Sequence, residues 1–190
     1  MCGLCTLLSA HRNAAEHLEA LEQSLQCMRH RGPDAAGTWH DEDAAFGFNR
    51  LSIIDLEHSD QPLRWGPEDN PERYALTFNG EIYNYVELRE ELSAAGYSFH
   101  TEGDGEPIVV GYHHWGKDVV EHLRGMFGFV IWDTETRTMF AGRDQFGIKP
   151  LYYATTDKGT VFASEMKCIL SMADSMGLDP VSYTHLTLPT

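Results

Sequence analysis

Met126-Phe-Gly-Phe-Val-Ile-Trp132 and Thr138-Met-Phe-Ala-Gly142 are two apolar runs of strand length, parted only by the turn-forming Asp133-Thr-Glu-Thr-Arg137. So short a connection leaves room only for a hairpin, and the two runs are expected to pair antiparallel. Neither run alternates apolar with polar residues, which reads as strands covered on both faces. The same reading applies to residues 4–9, 44–48, 74–78, 151–154 and 160–163. Three helices stand among them. Leu18, Leu21, Leu25 and Met28 line one face of the first, which stops before Arg31-Gly32-Pro33. Tyr85, Leu88, Leu92 and Ala95 line the second, residues 83–95, with Gly96 as its C-cap. The third starts at Pro107, suited to a first helical turn, and buries Ile108, Tyr112 and Trp115. The predicted class is α/β, with largely antiparallel sheets and helices packed outside. Periodicity alone does not choose between a two-layer and a four-layer sandwich.

At 190 residues the chain is sized for one domain, and 42% hydrophobic residues suffice for a sizeable core. The net charge of −15 repels phosphate backbones and anionic membrane surfaces, so neither nucleic acid nor membrane is expected as a partner. Four cysteines at this length do not make a disulfide framework, which points to a reducing, cytoplasmic compartment. No run reaches 18 apolar residues, and Cys2 to Ala10 lacks the features of a signal peptide, so the N-terminus is expected to be kept apart from Met1. Gly66 to Pro71 reads as a surface loop. Residues 180–190 hold no Asp, Glu, Lys or Arg and are expected to be a linker fragment or sequence foreign to the domain, which would span 2–179.

Cys2 is the most informative position. Loss of Met1 would leave a thiol and a free α-amine on one residue, joining nucleophile and base. Cys2-Gly-Leu-Cys5 also invites a metal or redox reading, but no second ligand pair at comparable spacing exists, and no metal site is expected. Cys5, Cys27 and Cys168 read as small buried hydrophobes. Asn79-Gly-Glu-Ile-Tyr-Asn84 closes the run 74–78. It reads either as a strand-to-helix turn capped by Asn84 or Glu81, or as an oxyanion hole made by the Asn79 amide and the Gly80 N–H. Arg50 leads the apolar run 50–54, and Asp104 precedes the third helix. Each alone is a surface charge; together they offer a guanidinium for a carboxylate and a carboxylate for an ammonium.

In combination and order these segments resemble the N-terminal glutaminase domain of asparagine synthetases, a class II, N-terminal nucleophile glutamine amidotransferase. The resemblance covers residues 2–170 and rests on Met-Cys-Gly at the start, Arg29-His-Arg-Gly-Pro-Asp34, Arg50-Leu-Ser-Ile-Ile-Asp55, Gln61-Pro-Leu63 and Asn79-Gly-Glu-Ile-Tyr-Asn84. It continues through Gly125-Met-Phe-Gly-Phe129, Gly142-Arg-Asp144, Gly147, Pro150-Leu-Tyr-Tyr153 and Ala163-Ser-Glu-Met-Lys167. It implies a four-layer αββα sandwich and hydrolysis of L-glutamine to glutamate and ammonia. Carried over residue by residue, Cys2 is the nucleophile and its α-amine moves the proton, while Asn79 and Gly80 hold the oxyanion. Arg50 binds the glutamine carboxylate, Leu51, Ser52, Ile53 and Ile54 line that edge, and Glu81 and Asp104 hold the ammonium. Gly103 stands where the family more often has Ser or Thr before this Asp. No cofactor is implied for the glutaminase reaction. ATP and Mg belong to a synthetase domain whose Ser-Gly-Gly-x-Asp-Ser loop does not occur before Thr190; that domain is the implied partner, and a homodimer is compatible with the sequence. The alternatives are the glutaminase half of another class II amidotransferase, or a glutaminase-like binding module without catalysis.

Overall fold

The computed structural model describes residues 1–52 and 60–173. In chain order the elements are β1 (Gly3–Ser9), α1 (Leu18–Cys27), β2 (Ala35–His40), β3 (Ala44–Arg50), β4 (Leu63–Trp65), β5 (Tyr74–Ile82) and α2 (Tyr85–Ala94). There follow α3 (Glu106–Trp115), α4 (Val119–His122), β6 (Gly125–Asp133), β7 (Thr138–Arg143), β8 (Tyr152–Thr156), β9 (Gly159–Ala163) and α5 (Met166–Met172). The strands form two sheets, ordered β2-β3-β1-β9-β8 and β4-β5-β6-β7, with every neighbouring pair antiparallel.

Strand alternation assigns each face. On β1, Leu4 points to the space between the sheets, where Phe46, Phe48, Val130 and Trp132 meet it. Cys5 and Leu7 point the other way, onto Leu21 and Leu25 of α1 and Ile169 of α5. On β5, Leu76 and Phe78 face Leu88, Leu92 and Ile108 of α2 and α3. The result is the four-layer helix-sheet-sheet-helix sandwich, which settles the choice that periodicity left open. Thr6 and Thr77 share a hydroxyl contact of 3.3 Å across the two sheets, deep in the middle layer. Phe46 and Trp132 are each at most 1% exposed there, and truncating either to Ala is expected to cost about 3–5 kcal/mol in denaturant unfolding.

Several expectations change. β5 runs on to Ile82 rather than ending at Phe78, because Gly80 lets β6 approach: a Cβ there would lie 2.3 Å from the Met126 carbonyl oxygen. Asn79 and Gly80 are therefore strand residues, not a turn. Arg50 closes β3 instead of leading a strand. Asn84 precedes α2, but its side chain does not cap that helix; the amide spans the His122 carbonyl and the Arg124 N–H. Cys27 is exposed, since it lies off the apolar face of α1, whereas Cys5 and Cys168 are buried. Gly96 ends α2 at φ 100°, as its C-cap role requires. Ile53, Ile54, the 179 boundary and the 180–190 tail lie outside the described residues.

Candidate active site

The two faces that alternate into the middle layer meet at one end of it. Ala75, Thr77 and Asn79 share a face of β5, and Cys2 continues the inward face of β1 beyond Leu4. Around their meeting point lies a cavity of about 80 Å³ lined by Met1, Cys2, Arg50, Leu51, Gln61, Asn79, Gly80, Glu81, Asp104 and Lys149, among others. The structure thus brings together seven of the expected site residues: Cys2, Arg50, Leu51, Asn79, Gly80, Glu81 and Asp104. Ser52 is not among the lining residues; its N–H instead donates to Asp34 at 2.8 Å, tying the Arg-His-Arg-Gly-Pro-Asp segment to the end of β3.

The Cys2 sulfur is bracketed by the backbone of one residue: the Leu51 N–H donates to it at 3.3 Å, and the thiol donates to the Leu51 carbonyl at 3.5 Å. Its own carbonyl accepts from Arg31 Nε at 2.9 Å, and Arg31 is held in turn by Glu165 at 3.4 Å. Burial pushes the Cys2 thiol pKa up, with the Leu51 N–H and the charges of the N-terminus, Arg50 and Lys149 opposing the rise. A thiol so placed needs a base to become a nucleophile. Met1 stands in the cavity wall, so its removal would both free the α-amine and widen the site.

On β5 the backbone groups alternate between its two neighbours. Leu76 pairs with Leu63 of β4, and the Gln61 side chain carries that pairing one step further, accepting from the Phe78 N–H at 2.6 Å and donating to its carbonyl at 3.1 Å. Ile82, on the same side, donates its N–H to Asp104 at 2.9 Å. Gly80 lies between these two, so its N–H points from an open strand edge into the cavity. Beside it, Asn79 is 2% exposed, and its Nδ2 has no hydrogen-bond partner among the described residues. Two donors facing one cavity without an acceptor among the described residues are what a developing oxyanion requires. A buried donor left unpaired costs about 1–3 kcal/mol, so its persistence here points to a ligand atom that completes it.

The far wall carries the charges. Arg50 is 7% exposed and pairs with Asp60 at 2.9 Å. Asp104 is 8% exposed; burial raises its pKa, the Ile82 N–H and its own backbone N–H counter the rise, and Glu81 adds to it. An ammonium docked against Asp104 would restore its charged form. The loop is fixed by Glu106, whose carboxylate accepts from the N–H groups of His100 and Thr101 and from the Thr101 hydroxyl, each at 2.8 Å. Sequence reading quoted Gln61 without giving it a task and passed over Lys149 and Glu106, whose positions depend on loop contacts that no local pattern displays.

A nucleophile, two unfilled donors, a guanidinium and a carboxylate in one small cavity suit acyl transfer from the amide of a small zwitterion. Residues 1–186 match the family model described as Glutamine amidotransferase domain. The chain belongs to this family. The amidotransferase domain is 55% identical over 190 residues to a Mycobacterium tuberculosis protein provisionally named asparagine synthetase [glutamine-hydrolyzing], covering 94% of this chain and 29% of that one. It is 46% identical to asparagine synthetase [glutamine-hydrolyzing] 1 of Bacillus subtilis, covering 94% and 28%, and 35% identical to a Gibberella zeae protein named Amidase chry2, covering 95% and 27%. The domain therefore spans less than a third of the length of these curated relatives. Among solved structures it resembles the glutamine phosphoribosylpyrophosphate amidotransferase of B. subtilis, with a TM-score of 0.72 at 21% identity, covering 90% of this chain and 43% of that one. At that identity the likeness shows the shared sandwich alone.

Proposed function

We propose that this amidotransferase domain, once Met1 is removed, hydrolyses L-glutamine through a thioester on Cys2. The Cys2 α-amine takes the thiol proton and the sulfur attacks the side-chain amide carbon. The oxyanion that forms is held by Asn79 Nδ2 and the Gly80 N–H. As the carbon–nitrogen bond breaks, the α-ammonium returns its proton to the leaving nitrogen, which departs as ammonia. Water, deprotonated by the same amine, then attacks the thioester; the carbon–sulfur bond breaks, glutamate leaves and the thiol is re-formed. Arg50 holds the substrate carboxylate, and Glu81 and Asp104 hold its ammonium. No cofactor takes part. The observation that carries this reading is the buried Asn79 Nδ2, which shares a cavity with Cys2 and has no hydrogen-bond partner among the described residues.

In a longer protein of the kind its relatives represent, the ammonia would pass to a synthetase domain that uses ATP and Mg to convert aspartate to asparagine. The names of the Mycobacterium and Bacillus relatives support that acceptor. The differently named Gibberella protein supports a second reading, in which the same glutaminase half serves another acceptor. Acceptor assays on the longer protein separate the two. Four free cysteines, and no helix among the described residues long and apolar enough to cross a membrane, support a cytoplasmic setting.

The test is ammonia and glutamate release from glutamine without ATP, by chain whose intact mass shows Met1 absent. Release in equal amounts is expected; none would overturn the proposal. Arg50→Lys should raise KM at least about tenfold with a smaller change in kcat, because an ammonium does not reproduce a bidentate fork. An unchanged KM in steady-state kinetics would remove Arg50 from the substrate site.

A further inference from the structure

Residues 144–150 belong to a motif that the reaction above leaves without a task. They wind around one carboxylate. Asp144 Oδ1 accepts from the N–H groups of Phe146 at 3.1 Å and Ile148 at 2.9 Å, and Oδ2 from those of Lys149 at 3.0 Å and Phe127 at 3.1 Å. Burial opposes the Asp144 charge, but these donors outweigh it and hold its pKa below the usual carboxylate range. Arg143 closes the turn from outside, donating to the carbonyls of Lys149 and Gly147 at 2.8 Å each, and Gly147 takes the φ of 62° that the tight path needs.

This turn is fastened to the reacting end of the cavity. Phe127, bonded to Asp144 through both N–H and carbonyl, is the ladder partner of Gly80. Gly128, the ladder partner of Asn79, packs against Pro150 and Leu151. Lys149 is 7% exposed, lines the cavity with Cys2 and Asn79, and among the described residues its ammonium has no hydrogen bond or ion pair. The side chain is buried along its length while Nζ keeps access to solvent, so the ammonium stands in the cavity without a fixed counter-charge among the described residues. Of the other charges near Cys2, Arg50 pairs with Asp60, and Arg31 donates to the Cys2 carbonyl and pairs with Glu165, its Nη2 alone having no partner among the described residues. Glu81 and Asp104 line the same cavity with the opposite sign, and the N-terminal amine stands beside the sulfur.

We propose that Lys149 is the fixed positive charge of the acyl-transfer end, held there by the Asp144 turn to stabilise the Cys2 thiolate as it forms. The proposal rests on the reading of Cys2 as nucleophile, and it deepens that reading by naming a residue that acts on Cys2 without touching substrate. Its test needs no turnover. The pH dependence of Cys2 alkylation by iodoacetamide is followed by peptide mass mapping, which separates Cys2 from the exposed Cys27, in chain lacking Met1.

Lys149→Met removes a charge that favours the thiolate, so the alkylation midpoint should move up by about 0.5–1 pH unit, and alkylation at pH 7 should slow about three- to tenfold. Rates should converge above both midpoints, where each variant is thiolate. Lys149→Arg should keep the wild-type midpoint. An unchanged midpoint in folded Lys149→Met, or an equal shift in Lys149→Arg, overturns the proposal. If Lys149→Met does not fold, Lys149→Gln replaces it under the same criteria. A shifted midpoint in a chain without glutaminase activity would uphold Lys149 and sink the reaction; normal activity with no shift would do the reverse.

Discussion

Cys2→Ala is expected to abolish glutamine hydrolysis, a loss of at least about 10³-fold, while leaving the fold intact. The sulfur is the only atom lost. Its hydrogen bonds go to the two polar atoms of Leu51, a residue of the cavity wall, and Cys2 is only a partly buried neighbour of the inter-sheet core. Stability should therefore change by no more than about 1 kcal/mol. Ammonia release and thermal unfolding, measured on the same preparation, check both halves. Ammonia release by the alanine variant equal to wild type would remove Cys2 from the chemistry.

Asn79→Ala should lower kcat about 10²–10³-fold with KM close to wild type, because an oxyanion donor acts in the transition state and adds little to ground-state binding. Its structural cost should be small. The Asn79 Nδ2 donor is already unpartnered in the described structure, so deleting it strands no other group. A buried donor without an acceptor is itself worth about 1–3 kcal/mol of instability, and its removal offsets the lost side-chain packing. The expected signature is a large fall in kcat at an unchanged or raised Tm. A rise in KM with kcat preserved would place Asn79 in substrate binding instead.

The antiparallel sandwich was legible because continuous apolar runs and a tight connection at 133–137 leave few ways to cover both strand faces. β2 escaped that reading because it is a half-exposed edge strand of small and polar residues, and β4 because it is only three residues long. Asn79 and Gly80 looked like a turn since glycine after a strand usually ends it; here glycine is what lets β6 approach and the strand continue. The site charges at Arg50 and Asp104 showed as residue types, but their convergence is a product of the β3 terminus and the loop that Glu106 fastens. Lys149 carried no local signal at all. Its place in the cavity wall follows from the turn around Asp144, whose carboxylate accepts four N–H bonds.

Hydrolysis by this route requires a γ-glutamyl thioester at residue 2. Chain with Met1 removed is mixed with glutamine, quenched in acid within the first turnover, digested and mapped by mass. The expected result is one γ-glutamyl group on the N-terminal peptide, carried by Cys2, gained and lost at rates that match ammonia and glutamate release. Glutamine hydrolysis at the full rate with no acyl group on Cys2, or with the acyl group on another residue, would contradict it.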